Sequence, residues 1–209
     1  AGTLLNSGLA GTVALATGTT GASSIGVTGA RILTTADTIT AATGSGGVFI
    51  TETDGASFTA TATGAGEIAL TSTAGTLNIA GATNSGTGTI TLNSGDAVTL
   101  SAALGDATDG VITINANTDG AGAEGFTQNA GGTITTGSAL AGAVAITVNT
   151  ATGTGAAALR DITTGAGGTI TVNTNTLGGS ITQTAGTLLN SGLAGTVALA
   201  TGTTGASSI

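Results

Sequence analysis

The chain has 209 residues, mainly Thr, Gly and Ala, and contains no Pro, Cys, Met, Trp, Tyr, His or Lys. Two arginines stand against ten carboxylates, for a formal net charge of −8, so too few cations are present to bind a nucleic-acid backbone. Because no His, Lys, Tyr or Cys is present to activate a nucleophile, enzymatic activity is not expected.

The chain opens on a segment that returns at its end. Residues 1–25, AGTLLNSGLAGTVALATGTTGASSI, recur without a change as residues 185–209. Internal repetition of this kind indicates a repeat architecture. We therefore expect residues 1–184 to be one full tandem repeat and residues 185–209 to begin the next, within a longer chain.

Between these copies, apolar residues alternate with Thr or Asn over short stretches, which is typical of strands with one buried face. The clearest stretches are Ile90–Asn93, Ile112–Asn115, Ile146–Asn149 and Ile170–Asn173, and weaker ones begin at Thr12, Val48, Glu67 and Ala97. Asp-Gly, Gly-Gly and Ser-Gly pairs between them are turn signals. No stretch has helical periodicity, so we predict an all-β chain.

Regular spacing of the strands predicts how they are arranged. The strand centres at Ile68, Ile90, Ile112 and Ile134 are evenly spaced, which favours a parallel β-helix (β-solenoid) with coils of about 20–24 residues. At about 4.8 Å per coil, one long period would hold eight or nine coils and rise roughly 40 Å. A β-sandwich would also explain the alternation, but not these two periods.

A looser repeat divides the long one. Ala-Gly pairs start at positions 74, 130 and 185, at nearly equal intervals and in similar surroundings. Each long period therefore contains about three diverged subunits. The three aromatic residues, Phe49, Phe58 and Phe126, are expected to pack in the core or at coil edges.

One acidic stretch, GDATDGVITINANTDGAGAEG, contains Asp106, Asp109, Asp119 and Glu124. Carboxylate oxygens suit Ca²⁺, so Asp106, Asp109 and Asp119 are weak candidates for a calcium site. Their spacing matches neither an EF-hand nor the glycine-rich nonapeptide repeat, and Asp-Gly pairs are common in turns. The turn interpretation is favoured, and no other cofactor is expected. Each arginine is expected to form a weak surface pair, Arg31 with Asp37 and Arg160 with Asp161.

Threonine recurs at outward positions, as in the TIT pieces that begin at Thr89, Thr133 and Thr169. Stacked on one flat face, such residues would form ladders like those of ice-binding proteins, so an ice- or carbohydrate-binding solenoid is the alternative function. Against it, the loops between strands vary in length, which we expect to disturb a flat lattice.

The pieces GGSITQTAGTLLNSG and GGTITVNTNTLGGSITQTAG resemble the repeat regions of large bacterial exoproteins, the filamentous-haemagglutinin-like and β-strand-repeat adhesins. The shared motifs are Gly-x-Ile-Thr-Gln, here Gly179–Gln183, and Gly-Thr-Ile-Thr-Val-Asn, here Gly168–Asn173. This resemblance implies a right-handed parallel β-helix, secretion to the cell surface and service as a long fibre or stalk.

Taken together, these observations predict a structural extracellular protein: a β-solenoid fibre, stalk or filament sheath on a bacterial surface. Its partners would be further copies of the repeat joined end to end, and the scarcity of charge favours lateral self-association as well. No uninterrupted apolar run approaches the roughly 20 residues that span a bilayer, so no membrane insertion is expected in this stretch.

Overall fold

The structure is a computed structural model that describes residues 4–18, 20–81, 83–149, 152–175 and 179–202. These residues contain no helix long and apolar enough to cross a membrane. They form the following strands: β1 (Leu4–Ala16), β2 (Ile32–Thr43), β3 (Val48–Glu52), β4 (Ala56–Ala62), β5 (Ile68–Ser72), β6 (Leu77–Ile79), β7 (Ile90–Ser94), β8 (Val98–Leu100), β9 (Ile112–Ala116), β10 (Phe126–Gln128), β11 (Ile134–Thr135), β12 (Val144–Val148), β13 (Ala157–Leu159), β14 (Ile162–Thr163), β15 (Thr169–Thr174), β16 (Ile181–Gln183), β17 (Leu189–Asn190) and β18 (Thr196–Thr201).

The named strands pair in parallel and stack into three faces around one core. Face A contains the first part of β2 and then β3, β5, β7, β9, β12, β15 and β18, while face B contains the second part of β2 and then β4, β6, β8, β10, β13 and β16. Face C contains β11, β14 and β17, and isolated bridges extend it downward through Leu104 to Thr83. The chain visits faces A, B and C in turn, so the predicted parallel β-solenoid is confirmed.

The core is built from columns of aliphatic side chains. Every second residue of a strand points inward, as the alternating burial of β7, β9 and β12 shows. One column on face A runs through Ile68, Ile90, Ile112, Val144 and Ile170, all fully buried. Burying each such side chain contributes about 1.5–3 kcal/mol, and the column therefore holds successive coils together.

Coil length changes along the solenoid. On face A the step from Ile68 to Ile90 equals the step from Ile90 to Ile112, as predicted. Above Ile112 the steps lengthen, because the next residue in this column is Val144. Ile134 is therefore not the next strand centre on face A, as its spacing predicted, but lies in β11 on face C. The extra residues enter at corners, where no side chain has to fill the core.

The phenylalanines pack as expected. Phe58 and Phe126 fill the core on face B, with 1% and 0% of their surfaces exposed. Phe49 points outward from β3, but its ring lies against Gly47, where a Cβ atom would stand 2.5 Å from Cε2. Gly47 is needed there because any side chain would displace that ring.

Buried polar side chains secure the corners that follow face A. Asn117 donates from Nδ2 to Oδ1 of Asn149 one coil above at 2.7 Å, and Asn149 donates to the carbonyl of Gly155. Lower down, the Ser72 and Ser94 hydroxyls both donate to the carbonyl of Gly75. These hydrogen bonds satisfy backbone groups that the turns would otherwise bury unpaired.

Candidate functional site

Asp109, the central residue of the predicted calcium stretch, is buried with 1% of its surface exposed. Its Oδ1 accepts hydrogen bonds from the amide and hydroxyl of Ser85, and its Oδ2 accepts one from the amide of Asp106. Burial raises the pKa of the Asp109 carboxyl, although the bonds from Ser85 oppose that rise. Oδ1 thus ties this turn to the coil below, and Oδ2 holds the turn itself.

The other two candidates hold their own turns. Asp106 is exposed and accepts from the amide and hydroxyl of Thr108, and these hydrogen bonds lower the pKa of its carboxyl. Asp119 is exposed and accepts from the amide of Ala121. Strand β9 separates Asp109 from Asp119, and its five residues span about 16 Å at about 3.3 Å each. In the part of the chain that the structure describes, no three acidic side chains are gathered closely enough to hold a metal ion.

Glu52 is a buried carboxylate that sequence reasoning missed. It is fully buried at the end of β3, where Oε1 accepts from the amide of Ala36 at 3.0 Å and Oε2 from the amide of Asp54 at 3.2 Å. Burial raises the pKa of the Glu52 carboxyl. The signal was available, because Glu52 has the same inward parity as Val48 and Ile50.

A shallow cavity of about 340 Å³ opens beside this corner and is lined by Asp37, Asp54 and small polar residues. Its lining includes no cation and no imidazole, and the neighbouring Glu52 uses both oxygens on backbone amides. This arrangement fastens the corner between faces A and B.

Neither arginine donates to the aspartate that was predicted as its partner. Arg31 lies across face A and donates from Nη2 to the carbonyl of Ala69 at 2.7 Å and from Nη1 to the hydroxyl of Thr71. Burial lowers the pKa of the Arg31 guanidinium. Arg160 donates to the hydroxyl of Thr184 instead. Arg160 finds its partner in the coil directly above, whereas Arg31 reaches past β3 to β5, two coils above.

Above Arg31, the outer surface of face A is an uncharged, regular array over β7, β9, β12, β15 and β18. One outward column is Thr91, Thr113, Ala145, Thr171 and Ala198, and the next is Asn93, Asn115, Thr147, Asn173 and Ala200. The Asn115 amide donates to Oδ1 of Asn93 at 2.8 Å. Five strands at about 4.8 Å make this surface roughly 19 Å long.

This array corrects two expectations. Variable coil lengths do not disturb the lattice, since the pairing from β7 to β18 has no register shift. The TIT pieces, however, do not form one ladder: Thr89 precedes β7 and Thr169 begins β15, both on face A, whereas Thr133 precedes β11 on face C.

Both ends of the described solenoid are apolar and unpaired on their outer side. At the lower end β2 is the one described strand that pairs with β1, and Leu4 and Leu5 are 44% and 38% exposed. At the upper end β16, β17 and β18 each pair with one described strand, and Leu193 is 86% exposed. Open parallel edges of this kind are templates for further strands.

Comparison with known proteins adds no further constraint: no family model, curated protein or solved structure matches this chain. Three features of the molecule bear on its function. These are the turn-forming carboxylates, the uncharged outer surface of face A and the two open ends.

Proposed function

We propose that this chain is a structural protein in which tandem repeats, each equivalent to residues 1–184, continue end to end as one β-solenoid, forming a fibre, stalk or filament sheath. One observation carries the proposal: the two open ends are formed by copies of the same repeated segment, each stacked in parallel register on the body. The coils that stack above the repeated segment at the lower end can therefore also stack above it at the upper end.

Burial supports this continuation. An isolated solenoid leaves unpaired amides, unpaired carbonyls and leucines at both ends, and a following repeat would cover them. In such arrays each repeat contacts only its neighbours, so the stability of the whole rises with the number of interfaces. The next repeat of the same chain is thus the partner that the ends fit best.

An extracellular location on a bacterial surface belongs to the same proposal and is supported by the resemblance of Gly168–Asn173 and Gly179–Gln183 to adhesin repeat tracts. Scarcity of charge favours lateral association of such fibres, since only 6% of residues are charged. The proposal assigns no catalysis, because both buried carboxylates are engaged by backbone amides.

Imaging of native filaments by cryo-electron microscopy tests the proposal. A continuous solenoid gives a layer line at about 4.8 Å along the fibre axis and a longer axial period of about 40 Å. Discrete globular particles, or strands that run across a sandwich rather than round an axis, would overturn it.

The outer surface of face A favours one second candidate, the binding of an ordered surface such as ice or a crystalline polysaccharide. Its observation is the unbroken register of two outward columns of Thr, Asn and Ala without a charged residue. Thermal hysteresis and pull-down on insoluble polysaccharide test it, with Thr113→Lys expected to abolish the effect. Thr127→Lys, at an outward position on face B, is the matched control. Absence of both activities in the native chain would remove this candidate.

A further inference from the structure

The repeated segment has the same local structure in both places. We call residues 4–16 the lower copy and residues 188–200 the upper copy. The left-handed backbone recurs at equivalent residues, with φ of 73° at Gly8 and 66° at Gly192, and 59° at Ala10 and 63° at Ala194. Each copy therefore bends at one tight corner, which lies within β1 in the lower copy and between β17 and β18 in the upper copy.

The two copies nevertheless occupy different corners. In the lower copy Leu5 pairs with Thr34 on face A, and Val13 pairs with Ile39 on face B. In the upper copy the equivalent Leu189 pairs with Ile162 on face C, and Val197 pairs with Ile170 on face A. The upper copy therefore stands one face earlier in the winding order than the lower copy.

Counting faces gives the number of coils in a repeat. Val13 stands on face B, and the chain visits face B seven more times, in β2, β4, β6, β8, β10, β13 and β16. It then crosses face C in β17 and reaches face A in β18, where Val197 lies. One repeat thus contains seven and two-thirds coils, with a rise of roughly 37 Å.

We propose that each repeat docks on the one before it rotated by one face, about a third of a turn at seven and two-thirds coils per repeat. This inference rests on the proposed tandem function, and its occupant for the upper end is the next repeat of this chain. Face C of one repeat continues as face A of the next, face A continues as face B, and three repeats restore the starting orientation.

The junction is already visible in its two halves. The upper copy shows what lies beneath the segment, namely Ile162 and Ile170, and the lower copy shows what lies above it, namely Thr34 and Ile39. The upper copy pairs through its lower edge, and the lower copy pairs through its upper edge. A segment at a junction between repeats can therefore form both sets of pairs at once without a change of register.

This rotation determines what the fibre presents to its surroundings. The uncharged outer surface of face A would appear on three sides in succession as a spiral, and not as one stripe along the fibre. Lateral association through that surface would then join a fibre to neighbours all round it, producing bundles in preference to flat ribbons.

Cysteine crosslinking in the 209-residue chain tests the inference, since the chain has no natural cysteine. The pair A14C/T40C joins the lower copy to face B, and A198C/T171C joins the upper copy to face A. Two mismatched pairs, A16C/L33C and A198C/T184C, would react only if each copy lay on the other copy's corner. T91C/T113C, on neighbouring strands of the body, is the positive control.

With a thiol crosslinker that spans one interstrand gap, both matched pairs should react as fully as the control. The mismatched pairs should give at least about tenfold less product, because they lie more than one strand spacing apart. Reaction of A16C/L33C or A198C/T184C in place of the matched pair of the same copy would place both copies on one corner and overturn the rotation alone. Failure of T91C/T113C would overturn the solenoid, and with it the proposed fibre.

Discussion

The lower and upper copies of the repeated segment compare one sequence in two environments. Around Gly8 the space where a Cβ would stand is open, whereas at Gly192 that position lies 2.9 Å from Cα of Ala166 and 3.0 Å from the carbonyl oxygen of Gly165. The backbone is left-handed at both. Local sequence therefore determines the strand–corner–strand shape, and the neighbouring coil determines which corner it occupies.

A second example supports this separation of local shape from stacking. The glycines of the looser repeat, Gly75, Gly131 and Gly186, all have positive φ, between 71° and 88°. Gly75 lies between β5 and β6, at the corner from face A to face B, whereas the other two precede β11 and β17 at the corner from face B to face C. Both kinds of corner are flanked by similar aliphatic columns, and both accept the same motif.

Truncating the buried isoleucine that stacks against one copy should have the largest effect, and it should destabilise that copy and not the other. Ile39 stacks on Val13 of the lower copy, and Ile170 stacks on Val197 of the upper copy; both isoleucines are fully buried. Ile39→Ala and Ile170→Ala should each cost about 3 kcal/mol through lost burial and a cavity. Hydrogen exchange should show loss of protection at residues 4–16 for the first variant and at 196–201 for the second.

Because stability in solenoids is local, each variant serves as the control for the other. Equal loss of protection at both ends would mean that the body unfolds as one cooperative unit, and this pairing of each copy with its own column would then be wrong.

Identical glycine substitutions should have unequal costs in the two copies. Gly8→Ala places a Cβ in open space and costs only the strain of left-handed backbone, about 1 kcal/mol. Gly192→Ala adds close contact with backbone atoms of Ala166 and Gly165, for a total of about 2 kcal/mol. Urea unfolding followed at each end measures the difference. Equal costs would show that the upper copy does not rest on the corner at Gly165.

Each copy is also held by a different carboxylate. The amide of Ala10 donates to Asp37, and the amide of Leu188 donates to Asp161 at 2.9 Å. Asp37→Ala should loosen only the lower copy and Asp161→Ala only the upper copy, by roughly 1 kcal/mol each, since both bonds are at the surface. Hydrogen exchange at Ala10 and Leu188 is the measurement, and Asp119→Ala, which affects only its own turn, is the control.

The strands and the core could be predicted because their pattern is local. Alternation in Ile90–Asn93 or Ile170–Asn173 is visible without knowing what lies above or below, and β7 and β15 form there. The buried Glu52 could also have been predicted, since it follows Val48 and Ile50 at the same parity. In contrast, the position of Ile134 could not, because one coil gained residues at its corners and moved that strand to face C.

The choice of corner lies beyond sequence reasoning for a physical reason. Leu5 and Leu189 have identical neighbours in the sequence, yet one pairs with Thr34 and the other with Ile162. Stacking depends on the total number of residues wound before the segment, and no local pattern records that number. The candidate site could be judged in part, since the predicted strand Ile112–Asn115 already stood between Asp109 and Asp119, whereas the burial of Asp109 against Ser85 depends on the coil below.

The smallest expected effect concerns pH, and it separates the lower corner from the upper one. Glu52 lies beside the lower copy, where Gly8 pairs with Ala36, and burial raises the pKa of its carboxyl above the ordinary 4.5. The folded chain therefore binds a proton more readily than the unfolded chain, so stability should rise as pH falls from neutral toward 4.5. One proton contributes at most about 1.4 kcal/mol per pH unit, and the amides of Ala36 and Asp54, by favouring the ionised form, keep the effect below that limit.

Glu52→Gln removes this proton and should flatten the pH dependence of protection at residues 4–16, while residues 196–201 respond as in the native chain. The raised pKa of Asp109 acts in the same direction in both chains and cancels in the comparison, and the lowered pKa of Asp106 matters only below pH 3.8. An unchanged slope at the lower copy would show that Glu52 stays ionised in the folded chain, with its two backbone hydrogen bonds outweighing its burial.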